Sequence, residues 1–200
     1  MREQAEALVH FKSEHFESSD PVTFLKVILP YIGDPMGPFQ QMDVDPALVL
    51  SNHYQGYPDP SPPEARNTIN YLNSVTRNQD RSTGNIARFI KPRGIPIYAP
   101  EEGKNRVALF RRYAVPIHAF VVECQFPYPD ELELRKVVPF GNTWELHHPR
   151  TERNHVLPFP DLVVPLLDSY GVVTGKRKIA CSPFATYKQE SKATRTRSSH

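Results

Sequence analysis

Proline punctuates this chain too often for long regular elements. It fills 21 of 200 positions, about twice the usual share of roughly 5%. A proline ends or kinks a helix and is confined to edges or ends of strands. The chain is therefore expected to be loop-rich, with short helices and strands around a modest core, since apolar residues make up 39% of it. Its length suits one domain with extensions. No run approaches 18 consecutive apolar residues, so no membrane-spanning helix is expected. The opening MREQAEALVHFKSEHF mixes acids with bases and lacks the apolar stretch of a secretory leader. A cytoplasmic location is expected, and with it free thiols at Cys124 and Cys181.

Between prolines, the pattern alternates helical and extended segments, which predicts an α+β fold. Residues 2–17 read as a helix, with Ala5, Leu8, Val9 and Lys12 at suitable spacing. Asp20-Pro21 is an N-cap followed by a first-position proline, opening a short helix over 22–32 that Pro30 interrupts. Residues 47–51 read as a short strand, and 52–63 as a proline- and tyrosine-bearing loop. A helix over 63–78 presents Ala65, Ile69, Leu72 and Val75 on one face. Residues 81–90 read as a further helical start after Ser82-Thr83-Gly84. Past Cys124, 163–170 reads as a helix or a strand around Pro165, and 171–179 as a final strand with a turn at Gly175.

The segment from Ile95 to Val122, IPIYAPEEGKNRVALFRRYAVPIHAFVV, carries the most chemistry. It reads as a strand at Ile95–Tyr98, an acidic turn with a glycine, a helix, and a second strand. On the helix, Val107, Phe110 and Ala114 share a face, and Pro116 stops it. Ile117, Ala119 and Val121 then alternate with His118, Phe120 and Val122. Gly103, Lys104, Asn105 and Arg106 lie where turn becomes helix. The first turn of a helix has unpartnered N–H groups that attract anions. A glycine there lets a phosphate approach the backbone, and Lys104 and Arg106 add positive charge. The pattern is that of a phosphate cradle; a capped helix with surface charge is the plainer alternative. Glu101 and Glu102 precede it. A carboxylate beside bound phosphates can hold Mg²⁺ or orient a nucleophile, and Glu102 is the candidate for both tasks. It can also simply complement the helix dipole.

This block resembles the ParB/sulfiredoxin superfamily. The match runs in order and spacing through Glu102-Gly103-Lys104-Asn105-Arg106-Val107-Ala108 and then Val115-Pro116-Ile117-His118-Ala119-Phe120-Val121. In that family the box binds nucleotide phosphates at a helix N-terminus. Sulfiredoxins carry a catalytic cysteine where this chain has Lys104, so their chemistry is not implied. Asn105 stands where His or Arg is frequent. No second nucleotide motif and no helix-turn-helix pair follow Cys124. The resemblance thus implies a stand-alone member, similar to the plasmid fertility-inhibition type known for oncogenic suppression. It implies a nucleotide-binding phosphohydrolase, an ATPase and/or DNase. ATP or another nucleotide and Mg²⁺ would be its cofactors, with Gly103, Lys104, Asn105 and Arg106 on the phosphates. The implied core spans 52–123, between an N-terminal helical extension (1–51) and a C-terminal addition (124–185).

Charge suggests further partners. Net charge is +2, yet from Thr174 onward seven bases face one acid, leaving a mildly acidic body and a basic tail. Residues 186–200 lack apolar support and are expected to be disordered. Arg88, Lys91, Arg93, Arg111 and Arg112 join Arg106 in a basic cluster that could follow a DNA backbone, with Phe89 and Tyr98 available to stack bases. A non-enzymatic protein that blocks or bridges a conjugation or secretion component fits the proline-rich surface nearly as well. His147, His148, Glu145 and Asp161, with His155, contain metal-ligand chemistry. Adjacent histidines on a strand point to opposite faces, however, so packed or surface roles are expected for them. His118 is expected to be buried and hydrogen-bonded.

Overall fold

The computed structural model describes residues 1–51, 61–79, 85–138, 141–175 and 178–179. The expectations for the 52–60 loop, for Ser82-Thr83-Gly84, for Cys181 and for the tail over 186–200 lie outside the described residues. The fold is α+β. Helices α1 (Arg2–His15) and α2 (Pro21–Ile28) lead into strand β1 (Gln40–Val44) and a 3₁₀ turn (Pro46–Leu48). Then come α3 (Pro62–Arg77), β2 (Arg88–Pro92), β3 (Ala99–Glu102), α4 (Arg106–Arg112) and β4 (Ile117–Cys124). After a second 3₁₀ turn (Pro129–Glu131) follow β5 (Glu133–Val138), β6 (Trp144–His148), β7 (Arg153–Val156), α5 (Pro160–Tyr170), β8 (Val173–Thr174) and β9 (Lys178–Ile179).

Two mixed sheets result. The first has the order β1-β4-β2-β3, with β4 and β2 parallel and both edge strands antiparallel to their neighbours. The second has the order β7-β6-β5-β8, and β9 also pairs with β5. One apolar cluster packs α3 and α4 on a face of the first sheet through Ile69, Val107, Phe110, Phe89, Ile117, Ala119 and Val121. The other face, through Ile90, Val122 and Cys124, joins a larger core with α1, α2, α5 and the second sheet. Tyr31 ties these parts together by donating its hydroxyl to the Arg153 carbonyl at 2.8 Å. Among the described residues no helix is long and apolar enough to cross a membrane.

Several elements form as the sequence predicts. Asp20 caps α2 by accepting from the Thr23 amide at 3.0 Å, with Pro21 at the first helical position. In α3, Ala65, Ile69 and Val75 are buried, and Glu64 accepts from the Ser61 amide at 2.9 Å to close its first turn.

Others differ for physical reasons. The strand expected at Ile95–Tyr98 begins four residues later, at Ala99. Ile95 and Ile97 are fully buried in an irregular run that Pro96 keeps out of the ladder. Tyr98 makes instead a bridge to Val49, its amide donating to the Leu48 carbonyl at 2.9 Å. Pro100 still sits on an edge strand, as its missing N–H requires. Of the expected strand over 47–51, Ala47 and Leu48 belong instead to the 3₁₀ turn, which Asp45 caps at Ala47 N, 2.9 Å, while Val49 is extended and makes the bridge to Tyr98. The described part of the expected helical start over 81–90 is extended: Arg88–Ile90 belong to β2, bound to β4 and β3. Helix α4 ends at Arg112, so Ala114 does not share its buried face; it is exposed with φ +50°. The segment around Pro165 is helical, with Pro165 on its exposed side and Gly171 left-handed at its end.

Candidate functional site

The strand–turn–helix–strand unit borders a cleft of about 720 Å³. Its walls are Thr68 and Leu72 of α3, Asn85, Glu101 and Glu102 at the end of β3, the turn Gly103–Asn105, and Arg106 and Leu109 of α4. Sequence neighbours from Glu101 to Arg106 thus do converge on one concavity.

Gly103 makes the turn possible. Its φ is +86°, and a Cβ there would stand 3.0 Å from Arg106 Nε and 3.3 Å from Ala87 Cα. The missing side chain leaves room for Arg106 to fold back beneath the turn. Arg106 is 7% exposed and donates through Nη2 to the Asn85 carbonyl. Its Nη1 is buried and has no hydrogen-bond partner among the described residues. Burial pushes its pKa down to about 10. At neutral pH the site therefore holds a desolvated cation that meets no carboxylate among the described residues, a state that costs free energy until an anion arrives.

The helix opening contributes less than the sequence suggests. The Arg106 and Val107 amides donate to the carbonyls of Gly103 (3.2 Å) and Lys104 (3.4 Å) within the turn itself. Asn105, the cap residue, has helical rather than extended dihedrals and makes no side-chain capping bond. No acceptor among the described residues meets the amides of Lys104 and Asn105. Lys104 borders the cleft, but its ammonium is bonded 2.5 Å from Asp20 Oδ1 on α2. That bond is the largest influence drawing the Asp20 carboxyl below its usual value, partly offset by burial.

The members of the wider basic cluster are engaged one by one. Arg88 is exposed, over the Phe39 ring at 5.8 Å. Lys91 pairs with Glu123 at 2.7 Å. Arg93 stacks on Tyr128, 3.8 Å from the ring centre, and donates to the Phe126 carbonyl at 2.7 Å. Arg111 is drawn inward, donating to the carbonyls of Pro46 (3.2 Å) and Val49 (2.6 Å). Arg112 is exposed and has a partner of its own.

The histidine-bearing segment separates too. His147 is buried with Nδ1 2.8 Å from Asn154 Oδ1, while the His148 ring meets Tyr31 edge-on at 5.6 Å. Asp161 accepts from Asn142 Nδ2 at 2.7 Å. Among the described residues no group of three or more His, Cys, Asp or Glu is placed to hold a metal. His118 is half-buried, with Nδ1 2.8 Å from Asp43 Oδ1. Cys124 is a buried free thiol.

Sequence reasoning missed two participants. Asp20 was legible as a cap but not as the partner of a residue 84 positions away. Lys12 is completely buried and donates to the Ser51 carbonyl at 3.0 Å; burial lowers its pKa to about 8. Its signal was present, since it falls on the apolar stripe of α1. The chain matches no family model, no curated protein and no solved structure.

Proposed function

We propose that the cleft binds the phosphates of a nucleotide and that the protein is a phosphohydrolase acting on ATP, on DNA, or on both. The observation that carries this reading is Arg106: a buried guanidinium with an unpartnered nitrogen, desolvated in advance, at the wall of a cleft large enough for a nucleotide. An anion docking there gains a charge-assisted bond without first stripping water from the arginine. Lys104 and Asn105 also line the cleft, and Leu72 and Leu109 offer apolar surface to a base or sugar. The strand–turn–helix–strand arrangement around Gly103 is also what the ParB/sulfiredoxin resemblance implies.

Mg²⁺ fits the donor set. It keeps several waters and takes one or two carboxylates plus substrate phosphates, and Glu101 and Glu102 are exposed on the cleft rim. Glu102 would hold it beside the phosphates, where it would neutralise developing charge. Arg106 would stabilise the equatorial oxygens of the phosphoryl group, and Glu102 would orient the attacking water.

Calorimetry with Mg²⁺ and ATP tests the binding. Wild type is expected to bind, and Arg106→Gln, which keeps polarity but removes charge, is expected to lose at least tenfold in affinity. Glu102→Gln should bind ATP and fail to turn it over. Incubation with linear and supercoiled DNA, with and without Mg²⁺ and ATP, separates the substrates. Equal affinity of a folded Arg106→Gln variant would remove this function. A salt-sensitive gel shift without cleavage would make the protein a DNA binder instead.

A further inference from the structure

We propose that Asp20 is a built-in competitor of the ligand: its carboxylate holds the Lys104 ammonium away from the cleft until a phosphate group displaces it. This rests on the phosphate reading above and adds a specificity-determining residue to it, contributed by the N-terminal helices.

The geometry is specific. Lys104 belongs to the turn and borders the cleft, whereas Asp20 is not among the cleft's walls. The ion pair at 2.5 Å therefore ties the ammonium of a cleft residue to the N-cap carboxylate of α2. The two oxygens of Asp20 divide their work. Oδ2 accepts from the Thr23 amide at 3.0 Å and hydroxyl at 3.1 Å, capping the helix, and Oδ1 takes Lys104. The side chains remain 43% and 35% exposed, so water can re-solvate both partners when they separate. An ion pair of this exposure is weak. A terminal phosphate, with more charge and three acceptor oxygens, can outcompete a single carboxylate for the ammonium. Released, the flexible lysine stem can swing to the cleft it already lines. The cradle then holds two cations, Arg106 and Lys104. Ligands with only one negative charge gain least from that exchange, so Asp20 biases the cleft towards polyphosphates.

Asp20→Asn is the informative variant. Asparagine caps helices as well as aspartate does, so the substitution removes the charge and keeps the cap; a melting curve verifies the fold. Calorimetric titrations with ATP and with pyrophosphate would compare wild type, Asp20→Asn, Lys104→Met and the double variant. Asp20→Asn should bind both ligands about two- to fivefold more tightly than wild type. In the Lys104→Met background the same substitution should change affinity much less. A folded Asp20→Asn that binds equally or more weakly overturns the proposal. So does an undiminished gain without Lys104, which would reflect a general field effect. If wild type and Asp20→Asn both fail to bind either ligand, the phosphate reading falls with it; if wild type binds and Asp20→Asn gains nothing, only the competitor role falls.

Discussion

Gly103 and Arg106 depend on each other. The glycine's φ of +86° is one that a residue with a side chain rarely adopts, and its open side is where Arg106 Nε passes. Gly103→Ala therefore meets two penalties together, backbone strain and a displaced guanidinium. It should lower the unfolding free energy by about 1–3 kcal/mol in urea titrations. Gly141 also has positive φ, but a Cβ there meets nothing within 4 Å. Gly141→Ala should thus lose only the backbone contribution. Equal losses at both positions would show that Arg106 makes no steric demand on the turn. The sequence revealed the glycine and the charge beside it. It could not reveal that the arginine folds inward, because that depends on Asn85 and Ala87 coming close across the chain.

At the level of elements, legibility followed the number of faces each one buries. Helices α1 and α3 each pack one face, so their stripes of Ala5, Leu8 and Val9 and of Ala65, Ile69 and Val75 stood out. Strand β4 kept its alternation through Ile117, Ala119 and Val121. Strand β2 buries both faces, Phe89 in one core and Ile90 in the other, and such a strand has no period-two signature to read. The candidate site was legible where it is contiguous, from Glu101 to Arg106. It was illegible where α2 and α1 reach it, because long-range charge pairing leaves no spacing pattern. Arg111 illustrates the difference. It looked like one member of a nucleic-acid patch, yet it fastens α4 to the 3₁₀ turn by donating to the carbonyls of Pro46 and Val49, and it also donates to Ser13 Oγ on α1 at 3.3 Å. Arg111→Met should cost roughly 3 kcal/mol of stability, since it strands two carbonyls that a charged donor now satisfies. If the variant melts like wild type, the inward fastening is unimportant and a surface role for Arg111 regains ground.

Across the whole molecule, the N-terminal helices meet the cleft-bearing half through a group of charges. Lys12 on α1 lies within electrostatic reach of Asp20, Lys104, Glu17 and Arg111. Lys12 is the fully buried member, bonded to the Ser51 carbonyl at 3.0 Å. Burial is the largest influence on it, lowering its pKa from 10.5 to about 8, with Asp20 pulling the other way. The sign of the consequence follows from proton counting. Below about pH 8 the lysine is protonated in both folded and unfolded chains and contributes no slope. Between about 8 and 10.5 the unfolded chain holds the proton and the folded one releases it. Stability then rises with pH, because the unfolded state binds more protons. Lys12→Met lacks this response. The unfolding free energy of wild type relative to Lys12→Met should thus climb from about pH 8 and gain roughly 2 kcal/mol by pH 9.5, below the range where tyrosines titrate. Chemical denaturation of the two proteins at intervals from pH 7 to 9.5 measures it. A constant difference across that range would mean that Lys12 keeps its proton in the folded chain, held by the surrounding acids more strongly than burial opposes it. The seam between the helices and the cleft would then be an ion-pair network, and Asp20 would be committed to Lys12 as well as to Lys104.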